Sequence, residues 1–332
     1  MILLGIETSC DETSASIVKN GKLLSNVVYT HQMHKDYGGV VPELASQEHL
    51  NEIISVTNSV LKKTKTKISD ISSIAVTYGP GLMGSLLVGV NFVKAMSISL
   101  NIPFIGINHL EGHLFSNYID NNDIRFPNLC LLVSGGHTQL WLIKSYDSFK
   151  LLGETIDDAA GEAFDKGARI LGLNYPGGPE IDSISKKGKN NYVDFPRPKV
   201  KNNPLNFSFS GLKTALLYYC QNLKEEELRN NIANIASSYQ EAIIDSLFNG
   251  LSESVIKHSD IKQIYISGGV AANTRFRQKS KNFESKFNIE VIFPKLEYCT
   301  DNAAMIAMAG YYKILNNKKS DLNLNPVPNL KL

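Results

Sequence analysis

The sequence is poor in cysteine and has almost no excess of charge of either sign. Its cysteines lie far apart and form no C-x-x-C pair: Cys10, Cys130, Cys220 and Cys299. A disulfide scaffold is therefore excluded, and a reduced, cytoplasmic compartment is expected. The 34 Lys and Arg against 32 Asp and Glu give a formal charge of +2, which argues against a chain coated with nucleic acid but allows local basic patches.

Long uninterrupted hydrophobic runs are also missing. The first residues contain no basic region and their apolar run stops at Glu7, so we expect no signal peptide. The most apolar stretch, residues 82–100, is broken by Asn91, Lys94 and several serines. We therefore expect this stretch to form a buried helix, and we expect no association with a membrane.

The composition that remains is that of an ordinary globular protein, with 332 residues of which 43% are hydrophobic and 20% are charged. A chain of this length predicts two domains or one large α/β unit. A strand, a polar turn and a returning strand open the chain, and the same arrangement recurs at residues 129–143. A third strand, at residues 263–276, has a Gly-Gly turn that leads into a helix. This recurrence predicts a duplicated α/β architecture.

Small or polar residues follow three of the predicted strands, at Glu7–Asp11, Ser134–Gly136 and Ser267–Gly269. Such turns let the backbone approach a phosphate, and successive N–H groups bind anions. None of them matches the Walker pattern, so a P-loop is excluded. Each alone is more often a plain tight turn, but the three together favour a nucleotide cleft between two domains. Asp11 would hold a cation or an attacking group there, or would merely form the turn.

Two histidines with helical spacing, His109 and His113, form a second candidate site. Imidazoles four residues apart face one side of a helix and can share a metal ion. Leu110 stands where the metalloprotease pattern requires glutamate, and a pair of histidines alone is weak evidence for a metal. A further ligand must come from elsewhere. Asp301 is one option, although a residue just before an apolar helix is more often an N-cap.

Acidic and basic clusters complete the candidates. Asp158, Glu162 and Asp165 would share one helical face, which is usually a solvated face. The rigid turn at residues 175–182 is flanked by acids that could hold ribose hydroxyls. The segment 208–213 would cap a cleft or start a helix. Four basic runs are candidates for contact with an RNA backbone, although each is more often solvated: residues 62–67, 186–189, 197–201 and 275–281.

A series of segments across nearly the whole chain resembles a known family. They are GIETSCDETSASIV, HQMHKDYGGVVPELASQEH, YGPGLMGSLLVG, NHLEGH, LLVSGGHTQL, GETIDDAAGEAFDKGARILGL, YPGGPEID, FSFSGLKTA, SGGVAANTRFR and CTDNAAMIAMAGY. In this order they are similar to the bacterial tRNA threonylcarbamoyladenosine-synthesis transferase family, formerly called the O-sialoglycoprotein endopeptidase family. The resemblance implies the actin-like ATPase fold of sugar kinases and Hsp70, with two duplicated α/β lobes and a nucleotide cleft between them.

The resemblance also implies a domain plan and a set of site residues. The first lobe would cover residues 1–120, with a helix at 301–316 packing back on it; the second would cover 121–300, and residues 317–332 would form a frayed tail. One divalent ion per subunit, iron or zinc, would be held by His109, His113 and Asp301, and Mg²⁺ would accompany a bound nucleotide. The substrate adenylate would bind to Leu132, Val133, Ser134, Gly135, Gly136, Asp165, Gly178, Asp182 and Asn273.

The implied reaction transfers a threonylcarbamoyl group from threonylcarbamoyl-adenylate to the exocyclic amine of adenosine 37, in tRNAs that read codons beginning with A. Bacterial members work with an inactive homologue of the same fold and a small P-loop ATPase. Because the mixed anhydride is already activated, the enzyme mainly needs to position it and to stabilise charge. A carboxylate, Asp11 or Glu12, would accept the proton of the amine.

Three other functions stay open on the sequence alone. A metalloprotease is suggested by the histidine pair and by the older family name. A small-molecule kinase of the same fold would leave both histidines without a role. A non-catalytic scaffold, like the inactive homologue, would need neither the histidine pair nor Asp301, whereas this chain has all three.

Overall fold

The computed structural model describes residues 1–33, 39–121 and 123–332. Residues 34–38, which belong to the segment HQMHKDYGGVVPELASQEH, and residue 122 lie outside the described residues. The chain forms two compact units. The first comprises Met1–Ile124 and Thr300–Leu332, and the second comprises Arg125–Cys299.

Ten strands and nine α-helices occur in the described residues, together with short 3-10 turns. The strands are β1 (Ile2–Glu7), β2 (Glu12–Lys19), β3 (Lys22–Thr30), β4 (Ser73–Gly79), β5 (Phe104–Asn108), β6 (Asn128–Val133), β7 (Thr138–Ser145), β8 (Ser148–Glu154), β9 (Gln263–Ser267) and β10 (Glu290–Ile292). The helices are α1 (Pro42–Thr64), α2 (Met83–Leu100), α3 (His109–Phe115), α4 (Ala160–Ile170), α5 (Gly177–Ser185), α6 (Ser210–Gln221), α7 (Glu225–Lys257), α8 (Thr274–Phe287) and α9 (Ala303–Leu315).

Each unit contains a five-stranded mixed sheet, and the two sheets have the same topology. The strand order is β3-β2-β1-β4-β5 in the first unit and β8-β7-β6-β9-β10 in the second. In the first sheet β1 is antiparallel to β2 and parallel to β4. In the second, β6 is antiparallel to β7 and parallel to β9. This repetition confirms the duplicated α/β architecture that the sequence predicts.

The central strand of each sheet is an apolar run that is buried on both faces, as expected where helices cover a sheet. Leu3 and Leu4 of β1 are fully buried, as are Leu129 and Leu131 of β6. Helix α9 covers one face of the first sheet and approaches closely at Gly5, where a Cβ atom would lie 2.6 Å from a carbonyl oxygen of that helix. Glycine at this position therefore sets the spacing between strand and helix.

The C-terminal residues differ from the sequence prediction of a frayed tail over 317–332. Ser320 N donates to Phe104 O at 2.8 Å, and Val327 N donates to Tyr78 O at 2.8 Å. The prediction is wrong because an Asn-, Lys- and Pro-rich composition does not reveal pairing with a sheet. Strand β5 is the edge of the first sheet, and its open backbone groups accept the tail.

Helix α2 is long and apolar enough to cross a membrane, by length and composition only, and is the one such helix among the described residues. One of its faces is buried through Leu86, Val90 and Val93, whereas Leu87 and Ile98 are exposed. The helix that the sequence predicts as buried is thus buried on one side only. A single helix of this kind is weak evidence for a membrane span.

Candidate functional site

Two imidazoles and a carboxylate converge in the first unit. His109 and His113 lie on α3, which starts where β5 ends, and Asp301 lies just before α9. Asp301 Oδ1 is 3.4 Å from His109 Nε2 and 3.1 Å from His113 Nε2. One ligand atom from each residue lies within 4.8 Å of the others. The three residues that were expected to hold a metal are therefore brought together by the fold.

Capping asparagines position the two helices that carry this group. Asn108 caps α3, because its Oδ1 accepts a hydrogen bond from Leu110 N at 2.8 Å. Asn302 caps α9, because its Oδ1 accepts from Met305 N at 3.1 Å. The alternative interpretation of Asp301 as an N-cap is therefore wrong, and its carboxylate faces the imidazoles instead.

Glu7, to which the sequence analysis gives no role of its own, supports the first imidazole. Glu7 Oε2 lies 3.3 Å from His109 Nδ1, and Ser9 Oγ lies 3.1 Å from the same nitrogen. Glu7 is fully buried at the end of β1, where Thr77 Oγ1 also donates to it at 2.5 Å. A proton on Nδ1 that is donated to Glu7 leaves the lone pair on Nε2, which is the tautomer that ligates a metal. The only sequence signal for this role is a carboxylate at the end of a buried apolar strand.

Burial and mutual charge set the protonation of this cluster. Burial lowers the pKa of His109, but the Asp301 and Glu7 carboxylates outweigh it, so the pKa lies well above the usual range for histidine. Burial raises the pKa of Asp301 and of Glu7, but the charge of His109 outweighs it and lowers both. The carboxylates of Asp301 and Glu7 thus stabilise a positive charge on the His109 ring. Since metal ligation needs neutral imidazoles, binding of a metal would release the proton.

The donor set fits iron or zinc better than a hard cation. Two imidazole nitrogens and a carboxylate oxygen are the ligands of non-haem iron sites and of many three-ligand zinc sites. A metalloprotease would also need a carboxylate base beside the ion. Glu111 is the carboxylate of the HLEGH segment, but it is 1% exposed and Lys313 Nζ lies 2.5 Å from its Oε2. The geometry therefore fits a metal, and Glu111 is not available as the base of a protease.

Asp11 and Glu12 lie where β1 turns into β2, and the charge of Asp301 acts on Glu12. Burial, together with the nearby Asp301 and Asp11 carboxylates, raises the pKa of Glu12 to about 10. At neutral pH Glu12 therefore carries a proton, which it donates to Asp11 in a hydrogen bond. A protonated Glu12 does not fit the role of proton acceptor that was expected for it.

A buried chain of hydrogen bonds holds this turn. His49 Nε2 lies 3.0 Å from the carbonyl oxygen of Cys10 and donates to it. In the neutral ring Nδ1 then accepts from Thr13 Oγ1 at 2.7 Å, and Thr13 Oγ1 in turn accepts from His31 Nε2 at 2.9 Å. The three side chains are at most 3% exposed. This series of hydrogen bonds fixes the backbone next to Asp11. The sequence analysis assigns no role to His31, His49 or Thr13.

Two glycine turns lie side by side in the second unit. The turn Ser134–Gly136 follows β6, and the turn Ser267–Gly269 follows the neighbouring parallel strand β9. Gly268 has a φ of +89°, and a Cβ there would lie 2.4 Å from the Val133 carbonyl oxygen, so glycine is required. Cβ atoms on the two glycines of the first turn would meet open space, and their N–H groups donate to no described residue. Exposed N–H groups of this kind are what an anion-binding turn requires.

The remaining residues expected to bind the adenylate are held by hydrogen bonds to their neighbours in the second unit. Asp165 Oδ1 accepts from Gly177 N at 2.8 Å, and Gly178 N also donates to this carboxylate. Asp182 accepts from Thr274 Oγ1 at 2.8 Å, at the start of α8. Asn273 caps the same helix. Asp165 is partly exposed whereas Asp182 is 8% exposed, so Asp165 is the more accessible of the two carboxylates that were expected to hold a ribose.

The structure limits the expected contact of Leu132 and Val133 with a ligand, and it places Asp158 differently from the sequence prediction. Leu132 and Val133 are fully buried in β6, so only their backbone could contact a ligand. Asp158 does not share a helical face with Asp165, because α4 begins two residues after it. Instead Asp158 pairs with Lys166 at 2.7 Å and with Lys213 at 3.0 Å. The prediction of a common solvated face is wrong at this residue, because periodicity does not locate the first turn of a helix.

Several solved structures share the fold of this chain. HypF from T. kodakarensis superposes with a TM-score of 0.64 at 15% identity, over 95% of this chain and 48% of that chain. The (R)-2-hydroxyglutaryl-CoA dehydratase component A from Acidaminococcus fermentans superposes with a TM-score of 0.54 at 14% identity, over 95% and 99%. At such identities the likeness concerns the fold alone, and this fold is the actin-like ATPase fold.

Sequence comparison then identifies the family. A family model described as tRNA N6-adenosine threonylcarbamoyltransferase matches residues 22–308. A relative of that name from Thermosipho africanus is 50% identical over 100% of both chains. Another, from Clostridioides difficile, is 47% identical over 100% of this chain and 98% of its own. The chain belongs to the tRNA N6-adenosine threonylcarbamoyltransferase family, which confirms the resemblance seen in the sequence.

Proposed function

We propose that this protein transfers the threonylcarbamoyl group of threonylcarbamoyl-adenylate to the exocyclic amine of adenosine 37 in tRNAs that read codons beginning with A. One observation carries the proposal. A chain of the tRNA N6-adenosine threonylcarbamoyltransferase family brings ligand atoms of His109, His113 and Asp301 within 4.8 Å of one another, and both imidazoles are buried. A scaffold without catalytic function would have no need for such a group, nor for the Glu7 carboxylate behind it.

The reaction forms a bond between the amine nitrogen and the carbamoyl carbon, and breaks the bond from that carbon to the phosphate oxygen of AMP. The amine loses a proton, and AMP leaves with the electron pair of the broken bond. Because an aromatic amine is a weak nucleophile, a base that takes its proton would lower the barrier. We assign this role to Asp11, whose neighbour Glu12 already carries a proton.

The second unit would bind the leaving AMP. The exposed N–H groups of Gly135 and Gly136 would donate to the phosphate, which gains charge as the anhydride breaks. Asp165 would accept from a ribose hydroxyl, and Asp182 would act mainly by fixing the start of α8 through Thr274. Donors that are fixed before the substrate arrives cost no reorganisation during the reaction.

One divalent ion per subunit, iron or zinc, would be held by His109, His113 and Asp301. When bound there, it would supply Lewis-acid stabilisation to the threonylcarbamoyl group. Glu7 would keep His109 in the ligating tautomer, and Asn108 and Asn302 would fix the two helix starts that carry the ligands. Mg²⁺ would accompany a bound nucleotide phosphate.

For partners we propose tRNA, an inactive homologue of the same fold and a small P-loop ATPase, with a cytoplasmic location and no membrane. An apolar groove of about 360 Å³ between α1 and α2 supports a protein partner. Leu50, Ile54 and Leu87 line it and are between 41% and 66% exposed. The inactive homologue is the partner we assign to it. Leu50→Glu with Ile54→Glu should abolish co-elution with that homologue, while metal content stays unchanged.

The test is an assay with the full chain, its two protein partners, threonylcarbamoyl-adenylate and tRNA, followed by mass spectrometry of the tRNA nucleosides. We expect modified adenosine in the digest and one equivalent of AMP per modified nucleoside. Absence of modified adenosine with correctly folded, metal-loaded protein would overturn the proposal. Casein cleavage or ATP-dependent phosphorylation of a small molecule, in parallel assays, would support the protease or the kinase instead.

A further inference from the structure

The connection between α5 and α6 begins with residues 186–204, which we call the basic strap. The sequence predicts an irregular surface loop here, and the strap indeed has no helix or strand. It is nevertheless fixed to α7 through Ser238, which is fully buried. Ser238 Oγ donates to Lys189 O at 3.2 Å and accepts from Tyr192 N and Val193 N at 3.1 Å each. One hydroxyl thus holds three backbone groups of the strap.

Further anchors lie on either side of Ser238. Asn234 Oδ1 accepts from Lys189 N at 2.9 Å, and Arg197 Nη2 donates to Asp245 Oδ2 at 3.0 Å. Phe195, only 3% exposed, packs its ring 5.9 Å from the ring of Tyr239. From the first anchor on α7 to the last the helix rises by about 16 Å. The strap therefore runs along α7 and is fixed to it over this length.

Four lysines of the strap are exposed and have no ion-pair partner among the described residues. They are Lys187, Lys189, Lys199 and Lys201. The one acidic side chain of the strap, Asp194, is bound by Arg197 at 2.8 Å. A row of unpaired cations on a fixed backbone can meet successive phosphates of a polyanion, and each contact made releases condensed counterions.

The basic run at residues 275–281 has the same sequence character, but three of its four cations are not available. Arg275 donates to Glu241 at 2.7 Å, and Lys279 binds the same carboxylate. Arg277 donates to the backbone oxygens of Ala271 and Pro294 at 2.8 Å each. The fold therefore uses these three cations internally, which the sequence alone does not reveal.

The basic run at residues 62–67 is exposed but lies far from the metal group within the first unit. It ends α1, whose other end carries His49, hydrogen-bonded to Cys10 beside Asp11. Sixteen residues of helix separate His49 from Lys65, which is about 24 Å. The run also precedes β4, whereas His109 follows β5, so the two lie at opposite ends of parallel strands.

The strap, in contrast, starts beside residues that we assign to the adenylate. A polar hollow of about 380 Å³ in the second unit is lined by Asp182 and Thr274 together with Lys186 and Lys189 of the strap. An RNA that delivers its adenosine to the acyl-adenylate must place its backbone close to that site. The strap is the basic run that has four unpaired lysines among the described residues and that begins next to this hollow.

We infer that the basic strap binds the sugar-phosphate backbone of the substrate tRNA. This inference rests on the proposed function, because tRNA is the polyanion that the reaction supplies. The strap contacts phosphates, so it contributes affinity and register but no base specificity. Its fixed backbone presents the lysines without a loss of loop entropy on binding.

The experiment compares two variants of the full chain. The first carries Lys187→Gln, Lys189→Gln, Lys199→Gln and Lys201→Gln. The matched control carries Lys62→Gln, Lys63→Gln, Lys65→Gln and Lys67→Gln, so both have lost four positive charges and none of these residues belongs to the metal or adenylate sites. For each, the dissociation constant for tRNA is measured at several salt concentrations, together with KM for tRNA and kcat.

For the strap variant we expect binding at least about tenfold weaker, with a slope of log K against log salt that is shallower by about 2–4. KM for tRNA should rise while kcat at saturating tRNA stays the same. The control variant should match the wild type. A strap variant with wild-type affinity and slope, or a control that loses as much, would overturn the inference. Failure of the proposed function is separate, since it would appear as wild-type protein that forms no modified adenosine.

Discussion

The two units share one sheet topology but place different chemistry at equivalent strand ends. The end of β1 carries Glu7, a buried carboxylate that contacts His109. The end of the equivalent strand β6 carries Ser134–Gly136, with open space around its glycines. The first unit thus concentrates buried charge, and the second presents exposed backbone donors. A duplicated scaffold supplies the positions, and the residues that follow each strand decide the chemistry.

Removal of one of the three metal ligands should have the largest effect on activity. His113→Ala deletes one of three ligands, so we expect loss of bound metal and a fall in tRNA modification of at least about 10³-fold. Metal analysis and nucleoside mass spectrometry measure the two effects. His258→Ala, at the end of α7 in the second unit, is the matched control and should retain both. Full modification by a metal-free His113→Ala protein would contradict the assignment.

Disruption of the ion pair between Glu111 of α3 and Lys313 of α9 should have the next largest effect, which is on stability. Lys313→Met leaves the Glu111 carboxylate, 1% exposed, without the cation of α9. We expect the free energy of unfolding to fall by about 3–5 kcal/mol in urea titrations with chelator present. The double variant Glu111→Leu with Lys313→Met should recover much of that loss. A double variant as unstable as the single one would argue against loss of the Lys313 charge beside a buried carboxylate as the cause.

Substitution of Glu7 tests whether a carboxylate that contacts the ligand His109 increases the affinity for the metal. Glu7→Gln keeps the shape but weakens the hydrogen bond to His109, so we expect metal affinity to fall by about 10–100-fold. Competition with a chromophoric chelator measures the affinity. Thr77→Val, which removes another partner of Glu7, is the control and should have a smaller effect. Unchanged metal affinity in Glu7→Gln would show that Glu7 does not support metal binding.

The two glycine turns of the second unit should respond differently to substitution of a glycine by alanine. Gly268→Ala puts a Cβ 2.4 Å from the Val133 carbonyl oxygen at a φ of +89°, and should cost about 1–3 kcal/mol of stability. Gly135→Ala points into open space, and its stability should change by less than about 0.5 kcal/mol. If the turn binds phosphate, Gly135→Ala should instead raise KM for the acyl-adenylate. Thermal unfolding and steady-state kinetics separate the two outcomes.

The smallest predicted effect concerns acid stability in the second unit. Burial raises the pKa of Glu241, but hydrogen bonds from Arg275 and Lys279 outweigh it and lower the pKa to about 2. A lowered pKa in the folded state adds stability above the unfolded value, and this stability is lost as pH falls from about 4.5 towards 2. Glu241→Gln should remove about 1–2 kcal/mol of that acid-dependent stability, after solvent screening. Parallel slopes for wild type and variant between pH 5 and 3 would contradict this.

The sequence predicts what local patterns and long motifs encode. The strand and turn at each sheet centre, the helical spacing of His109 and His113, and the loop at residues 186–204 all follow from short-range patterns. The resemblance supplied Asp301 as a ligand, almost 200 residues away along the chain. Local pattern cannot supply such pairing, because separations of this size are set by how the sheets and helices pack.

The parts that could not be predicted are interactions between distant side chains. Glu7 meets His109 only because β1 and β5 lie in one sheet, and Glu111 meets Lys313 only because α9 packs against α3. The C-terminal tail pairs with β4 and β5 although its composition is typical of a frayed end. The internal pairing of Arg275 and Lys279 likewise depends on the contact between α7 and α8.

X-ray absorption spectroscopy of the full chain loaded with zinc tests the central claim most directly, because it reports the ligand atoms themselves. The account predicts two imidazole nitrogens and at least one oxygen at about 2.0–2.2 Å, and loss of one imidazole in His113→Ala. A spectrum with sulfur at about 2.3 Å, or one that His113→Ala leaves unchanged, would contradict it.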